Sequence, residues 1–168
     1  AGGAAVTVDT SAIAGVTNLK VTKSVGAAIL TANNTTDVNV AGGEAAVTVT
    51  GGKSVTVAQA MDKNADVITI NKAGAVTVTA TDSIAVAGAG GEIIIGATAA
   101  DAATGAVVVN STGAKIVGGT GAVALNTVSV TGGTTVTVTQ AATADTGDVA
   151  TKGMATDVVT QRPVAFTG

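Results

Sequence analysis

Valine or isoleucine at every second position, with threonine, asparagine or alanine between, recurs along most of this chain. The runs are AVTVD (5–9), DVNVA (37–41), AAVTVT (45–50), SVTVAQ (54–59), DVITIN (66–71), AVTVTA (75–80), SIAVAG (83–88), TVSVTG (127–132) and TTVTVTQ (134–140). A period of two sends alternate side chains to opposite faces, so each run reads as a half-buried β-strand. β-Branched Val, Ile and Thr suit a pleated surface. Two continuous apolar runs, EIII (92–95) and AVVV (106–109), predict strands buried on both faces. No long stretch carries a 3.6-residue apolar stripe, and the Ala-rich pieces AQAMDKNA (58–65) and ATAADAAT (97–104) read as loops.

Glycine pairs punctuate the runs: Gly42-Gly43, Gly51-Gly52, Gly90-Gly91, Gly118-Gly119 and Gly132-Gly133. Glycine reaches positive φ without a Cβ penalty, so each pair is predicted to turn the chain. Two of the pairs open near-copies of one sentence. VTGGKSVTVAQAMDKNADV (49–67) and VTGGTTVTVTQAATADTGDV (130–149) align with an offset of 81 from Gly51 to Gly132, and Gln59 to Gln140 keeps it. A weaker echo starts at Gly90. This pattern predicts a degenerate repeat of roughly 40 residues, within the range typical of solenoids, propellers and arrays. In the second copy Val136 and Val138 are expected to face inward and Thr135, Thr137 and Thr139 outward.

The leading fold expectation is an all-β, parallel β-solenoid-like stack of short strands in which like residues lie over one another. It forms a single repetitive domain over 1–168, or a segment of a longer surface protein. An Ig-like β-sandwich is the alternative, because short strands at 8–12-residue spacing also predict one. A narrow interior filled by Val and Ile needs no aromatic residues, and Phe166 is the only one among 168 residues.

Composition closes off several function classes. The chain has no Cys, no His and no patch of basic residues, with 8 Lys and Arg and a formal net charge of −3. Nucleic acid is not an expected partner, since phosphate binding needs clustered cations. Thiol chemistry and thiolate metal sites are absent with the cysteines. General acid–base work would fall to Asp, Glu or Lys, and no apolar aromatic pocket stands by to shift a carboxyl pKa; an enzyme is not expected. No run of 18 apolar residues occurs, and the alternating runs are shorter than barrel strands and lack aromatic girdles, so membrane insertion is not expected either. The stretch AGGAAVTVDT (1–10) carries no signal-peptide pattern, which leaves a mature chain, a fragment, or export without an N-terminal signal as expectations.

The remaining candidate chemistry is cation binding. Asp62 and Asp66 in MDKNAD (61–66), and Asp145 and Asp148 in DTGD (145–148), offer the oxygen ligands that calcium takes. The competing reading makes these residues turn formers. The nonapeptide calcium repeat G-G-x-G-x-D-x-U-x does not occur in full; AGAGGE (87–92) has glycines without the Asp.

In phrasing, AAVTVTGGKSVTVAQA (45–60), VSVTGGTTVTVTQAATA (128–144) and DTSAIAGVTNLKVT (9–22) resemble the Caulobacter-type and related RTX-type bacterial surface-layer (S-layer) proteins. The resemblance implies type I secretion, a place on the extracellular cell surface, and self-assembly into a lattice driven by calcium. It also implies that PVAFTG (163–168) leads into a Gly–Asp calcium repeat; without the nonapeptides, the family's ligands map onto no residue of this chain. The expected function is therefore structural: a homo-oligomer forming a surface layer or filament, with cell-surface polysaccharide as a candidate partner and calcium as the candidate cofactor. A receptor-binding or adhesin module of a large secreted protein or fibre is the alternative.

Overall fold

The fold was described from a computed structural model, which describes residues 3–43, 45–61, 66–82, 91–113, 123–142, 159–160 and 164–167. Strands β1 (Val6–Asp9), β3 (Ala28–Ala32), β5 (Val47–Gly51), β7 (Val67–Asn71), β9 (Glu92–Ile95), β12 (Thr127–Thr131) and β15 (Val164–Thr167) form one sheet in that order. Strands β2 (Asn18–Thr22), β4 (Asp37–Gly43), β6 (Ser54–Met61), β8 (Ala75–Asp82), β10 (Val107–Gly113) and β13 (Val136–Ala142) form a second. Two short strands, β11 (Val123–Ala124) and β14 (Val159–Thr160), pair with each other. The protein is thus all-β, and among the described residues the one exception is a turn of 3-10 helix at Ala99–Asp101.

Among the described residues every strand pair is parallel, and through most of the stack the chain alternates between the two large sheets. This overturns the Ig-like sandwich, whose sheets are antiparallel. The pairing is in register, so like residues form columns. Val8, Leu30, Val49, Ile70, Ile95, Val130 and Phe166 make one in the first sheet. Val21, Val40, Val57, Val78, Val109 and Val138 make the matching one in the second. The central members of both columns are fully buried in one hydrophobic core. Each buried aliphatic side chain contributes about 1.5–3 kcal/mol.

The strands at the ends differ. Val6, Val8, Leu19 and Val21 at one end, and Val136 and Val138 at the other, are only half-buried, because β1, β2, β13 and β15 pair on one side only among the described residues. Val136 and Val138 pack on the core while Thr135, Thr137 and Thr139 are exposed, as their alternation predicts.

Two expectations need correction. The stacking step is not forty residues. Register partners one step apart are separated by 17 residues at Asp37 and Ser54, 25 at Ile68 and Ile93, 31 at Val76 and Val107, 35 at Ile93 and Val128, and 36 at Val128 and Val164. A step needs only one short strand in each sheet and two connections. The copies at Gly51 and Gly132 lie three strands apart in the first sheet, at β5 and β12. They repeat a corner, not a forty-residue unit. The runs EIII and AVVV are also not buried on both faces: Ile94 and Val108 are half-exposed, because among the described residues no layer covers the outer face of either sheet.

β2 and β3 fall outside the alternating runs picked out above, whereas Ala60 and Met61, which lie past the run SVTVAQ (54–59) and read as loop, continue β6. The run SIAVAG (83–88) lies outside the described residues.

Candidate functional site

The chain turns from the first sheet to the second along one edge of the stack, and from the second back to the first along the other. At the first corner backbone carries the contacts. Gly51 (φ 83°) and Gly132 (φ 80°) sit in the left-handed region. A Cβ on Gly51 would strike the Ala32 carbonyl oxygen, and one on Gly132 would lie 2.6 Å from the Ala103 carbonyl oxygen. The absence of these two Cβ atoms lets stacked corners touch. The ladder therefore continues round the bend: the Gly74 N–H donates to Gly52 O (2.9 Å), Gly105 N–H to Gly74 O (3.0 Å) and Thr134 N–H to Gly105 O (3.0 Å).

The opposite corner is polar inside. Gln59, Ala80, Ser111 and Gln140 pair in turn as one inward column at the C-terminal ends of β6, β8, β10 and β13. The Gln59 amide donates to the Ala45 carbonyl. Gln140 Nε2 donates to the Asn126 carbonyl at 2.7 Å, and Asn126 Nδ2 to Ser111 Oγ at 3.0 Å. Gln59, Ser111 and Asn126 are buried. Gln59 Oε1, Asn126 Oδ1 and Thr127 Oγ1 are buried with no partner among the described residues. Gly91 is not at positive φ; packing requires it, since a Cβ there would collide with the Met61 methyl group and approach the Asp66 carbonyl oxygen at 2.5 Å.

Of the four aspartates singled out as cation ligands, Asp62, Asp145 and Asp148 lie outside the described residues. Asp66 is buried, just before β7, and its carbonyl accepts the Glu92 N–H at 3.1 Å. The two Asp pairs follow β6 and β13, which stand three strand spacings apart in the second sheet. At about 4.8 Å per spacing the strands that carry them are roughly 14 Å apart. Among the described residues no three acidic side chains converge as a metal site.

One exposed carboxylate is perturbed. Asp9 accepts hydrogen bonds from the Ser11 hydroxyl (2.6 Å) and N–H (2.9 Å), which hold its pKa below the ordinary aspartate value. Asn33 makes the same turn with Thr35 at 2.6 and 2.9 Å, so the arrangement is a corner device used twice. At the end of the stack, Gly132, Gly133, Val136, Phe166 and Thr167 line an open cavity of about 290 Å3. Phe166 is exposed there.

The polar column shows in the sequence as Gln59 and Gln140, kept in both copies. The signal is parity: both sit in the inward slot of VTVAQ and VTVTQ, in line with the valines.

No protein-family model matches the chain, and neither a curated protein nor a solved structure matches it.

Proposed function

We propose that this chain is a β-solenoid segment and serves as a structural, self-assembling element of an extracellular surface layer or filament of the S-layer type. The observation that carries the reading is the pair of one-sided ends. Strands β1, β2, β13 and β15 leave main-chain N–H and C=O groups without a neighbouring strand among the described residues, beside half-buried valines. Unpaired strand edges are templates for further pairing. Stability in such a stack sums over neighbouring steps, so added steps extend the same core. The lack of His and Cys supports a non-catalytic role.

Calcium is proposed as the assembly ion, with Asp62, Asp66, Asp145 and Asp148 as candidate ligands and with export by type I secretion. Sedimentation velocity and negative-stain imaging with and without millimolar calcium test the reading. Rods, filaments or sheets that form with calcium and dissolve with chelator are expected. A compact monomer under both conditions would sink both the assembly role and the elongated shape. Asp145→Asn together with Asp148→Asn is expected to raise the calcium concentration needed for assembly.

A second reading, an adhesin module, draws on one observation. The connections from the second sheet to the first lengthen along the stack, from 44–46 after β4 and 62–66 after β6 to 83–91 after β8, 114–126 after β10 and 143–163 after β13, the last two carrying β11 and β14. All leave the same edge, because the strands are parallel. A receptor face built on that edge would bind its target as a monomer, so the same sedimentation experiment separates the two readings.

A further inference from the structure

Gln59 and Gln140 do work that neither assembly nor calcium binding requires. Each side-chain amide reaches a main-chain carbonyl 14 residues earlier in the chain, Gln59 to Ala45 and Gln140 to Asn126. The two carbonyls hold equivalent places. Val47, Ile68, Ile93 and Val128 pair in sequence along the first sheet, and Ala45, Asp66, Gly91 and Asn126 stand two residues before them. Each lies just before the chain enters a strand of the first sheet.

The alternation of donors along this row is informative. Across from Ala80 and Ser111, which are too short to reach, the next strand supplies the bond. Glu92 N–H donates to Asp66 O at 3.1 Å, and Thr127 N–H donates to Gly91 O at 3.0 Å. For Asn126 the corresponding donor would come from the residue before Val164. That residue is Pro163, which has no N–H to give. Gln140 supplies the missing donor from inside the stack.

We infer that Gln59 and Gln140 are clamps that fix where the chain re-enters the first sheet, each donating to the main-chain carbonyl at that point of entry. The duplicated sentence then encodes one complete arch: a glycine pair closes the outgoing corner, and an amide closes the returning one. Both glutamines are positioning residues, and the inference stands on hydrogen-bond geometry independently of the proposed function.

The test replaces each amide with an unbranched side chain of similar length and no N–H, Gln59→Met and Gln140→Met, in the full chain. Native-state hydrogen exchange is followed strand by strand. A buried carbonyl left without a donor is expected to speed local exchange about tenfold. For Gln59→Met the change belongs to β5, and for Gln140→Met to β12, each sparing the other strand. Because the chain has no cysteine, register can be read by disulfide formation between Thr48→Cys and Thr69→Cys (β5 with β7), and between Ile94→Cys and Ser129→Cys (β9 with β12). These positions are paired across their strands. In-register crosslinking is expected to fall severalfold only at the strand whose clamp is missing. Unchanged exchange and crosslinking, or equal changes at both strands, would overturn the inference. Gln140 is less buried than Gln59; if Gln59→Met does not fold, Gln140→Met alone decides by the same criteria.

Discussion

The two corners of the stack solve one problem in opposite ways. At the outgoing corner Gly51 and Gly132 remove side chains, so stacked backbones touch and ladder bonds continue through Gly52, Gly74 and Gly105. At the returning corner side chains are added, and Gln59, Ser111, Asn126 and Gln140 bridge groups within the interior. Connection length does not explain the difference, since outgoing connections run from 52–53 after β5 to 96–106 after β9, and returning ones from 44–46 after β4 to 83–91 after β8. The difference lies in which groups meet: at the outgoing corner backbone meets backbone, and at the returning corner a side-chain amide meets a carbonyl.

The largest expected effect tests the outgoing corner. Gly15 and Gly51 share φ 83°, but a Cβ on Gly15 would meet nothing within 4 Å, whereas one on Gly51 would strike the Ala32 carbonyl. Gly15→Ala is expected to cost about 1 kcal/mol from the left-handed backbone alone. Gly51→Ala adds a collision that backbone must move to relieve, for about 3 kcal/mol or more in total. Chemical denaturation of the two variants measures the difference; equal losses would show that the corner does not need close contact.

At the returning corner Ser111→Ala leaves the Asn126 Nδ2 donor without its partner inside the core. The expected loss is about 1–2 kcal/mol by the same denaturation measurement. A neutral result would place the burden of that corner on the two glutamines.

A smaller effect of opposite sign is expected at Lys23, which is exposed and held at φ 54°. Lys23→Gly relieves the left-handed strain and loses some chain entropy, for a net gain of about 0.5 kcal/mol, read as a raised Tm.

The smallest effect is the pH response at Asp9. Its folded pKa lies below the unfolded one, chiefly through the Ser11 hydroxyl and then the Ser11 N–H. The stabilisation is therefore present above the ordinary aspartate pKa and is lost as pH falls through the folded value. An NMR titration of the Asp9 carboxyl should show the depressed value, and Ser11→Ala should return it toward that of a free aspartate.

Strand positions and their inward faces were legible because alternation is a local property: Val55, Val57, Val136 and Val138 announce their side of the sheet by parity alone. β2 and β3 were less so, since NLKVT and AILTA are short and mixed and gain definition from the strands beside them. The stacking step is not legible in the glycine pairs because they mark only some corners. Lys72 and Gly74 turn the corresponding corner after β7 without a pair.

By itself, the sequence determined that the chain is made of short strands with a Val- and Ile-lined interior and Thr on the outside. It also determined that thiol and imidazole chemistry is absent. Side-chain alternation and residue type suffice for both, because neither depends on which strand lies next to which. Only the tertiary structure decided that the strands are parallel, that the stacking step runs from 17 to 36 residues, and that Gln59 and Gln140 face main-chain carbonyls. Those are relations between residues far apart in the chain. They are fixed by which backbone groups find a partner once the sheets have stacked.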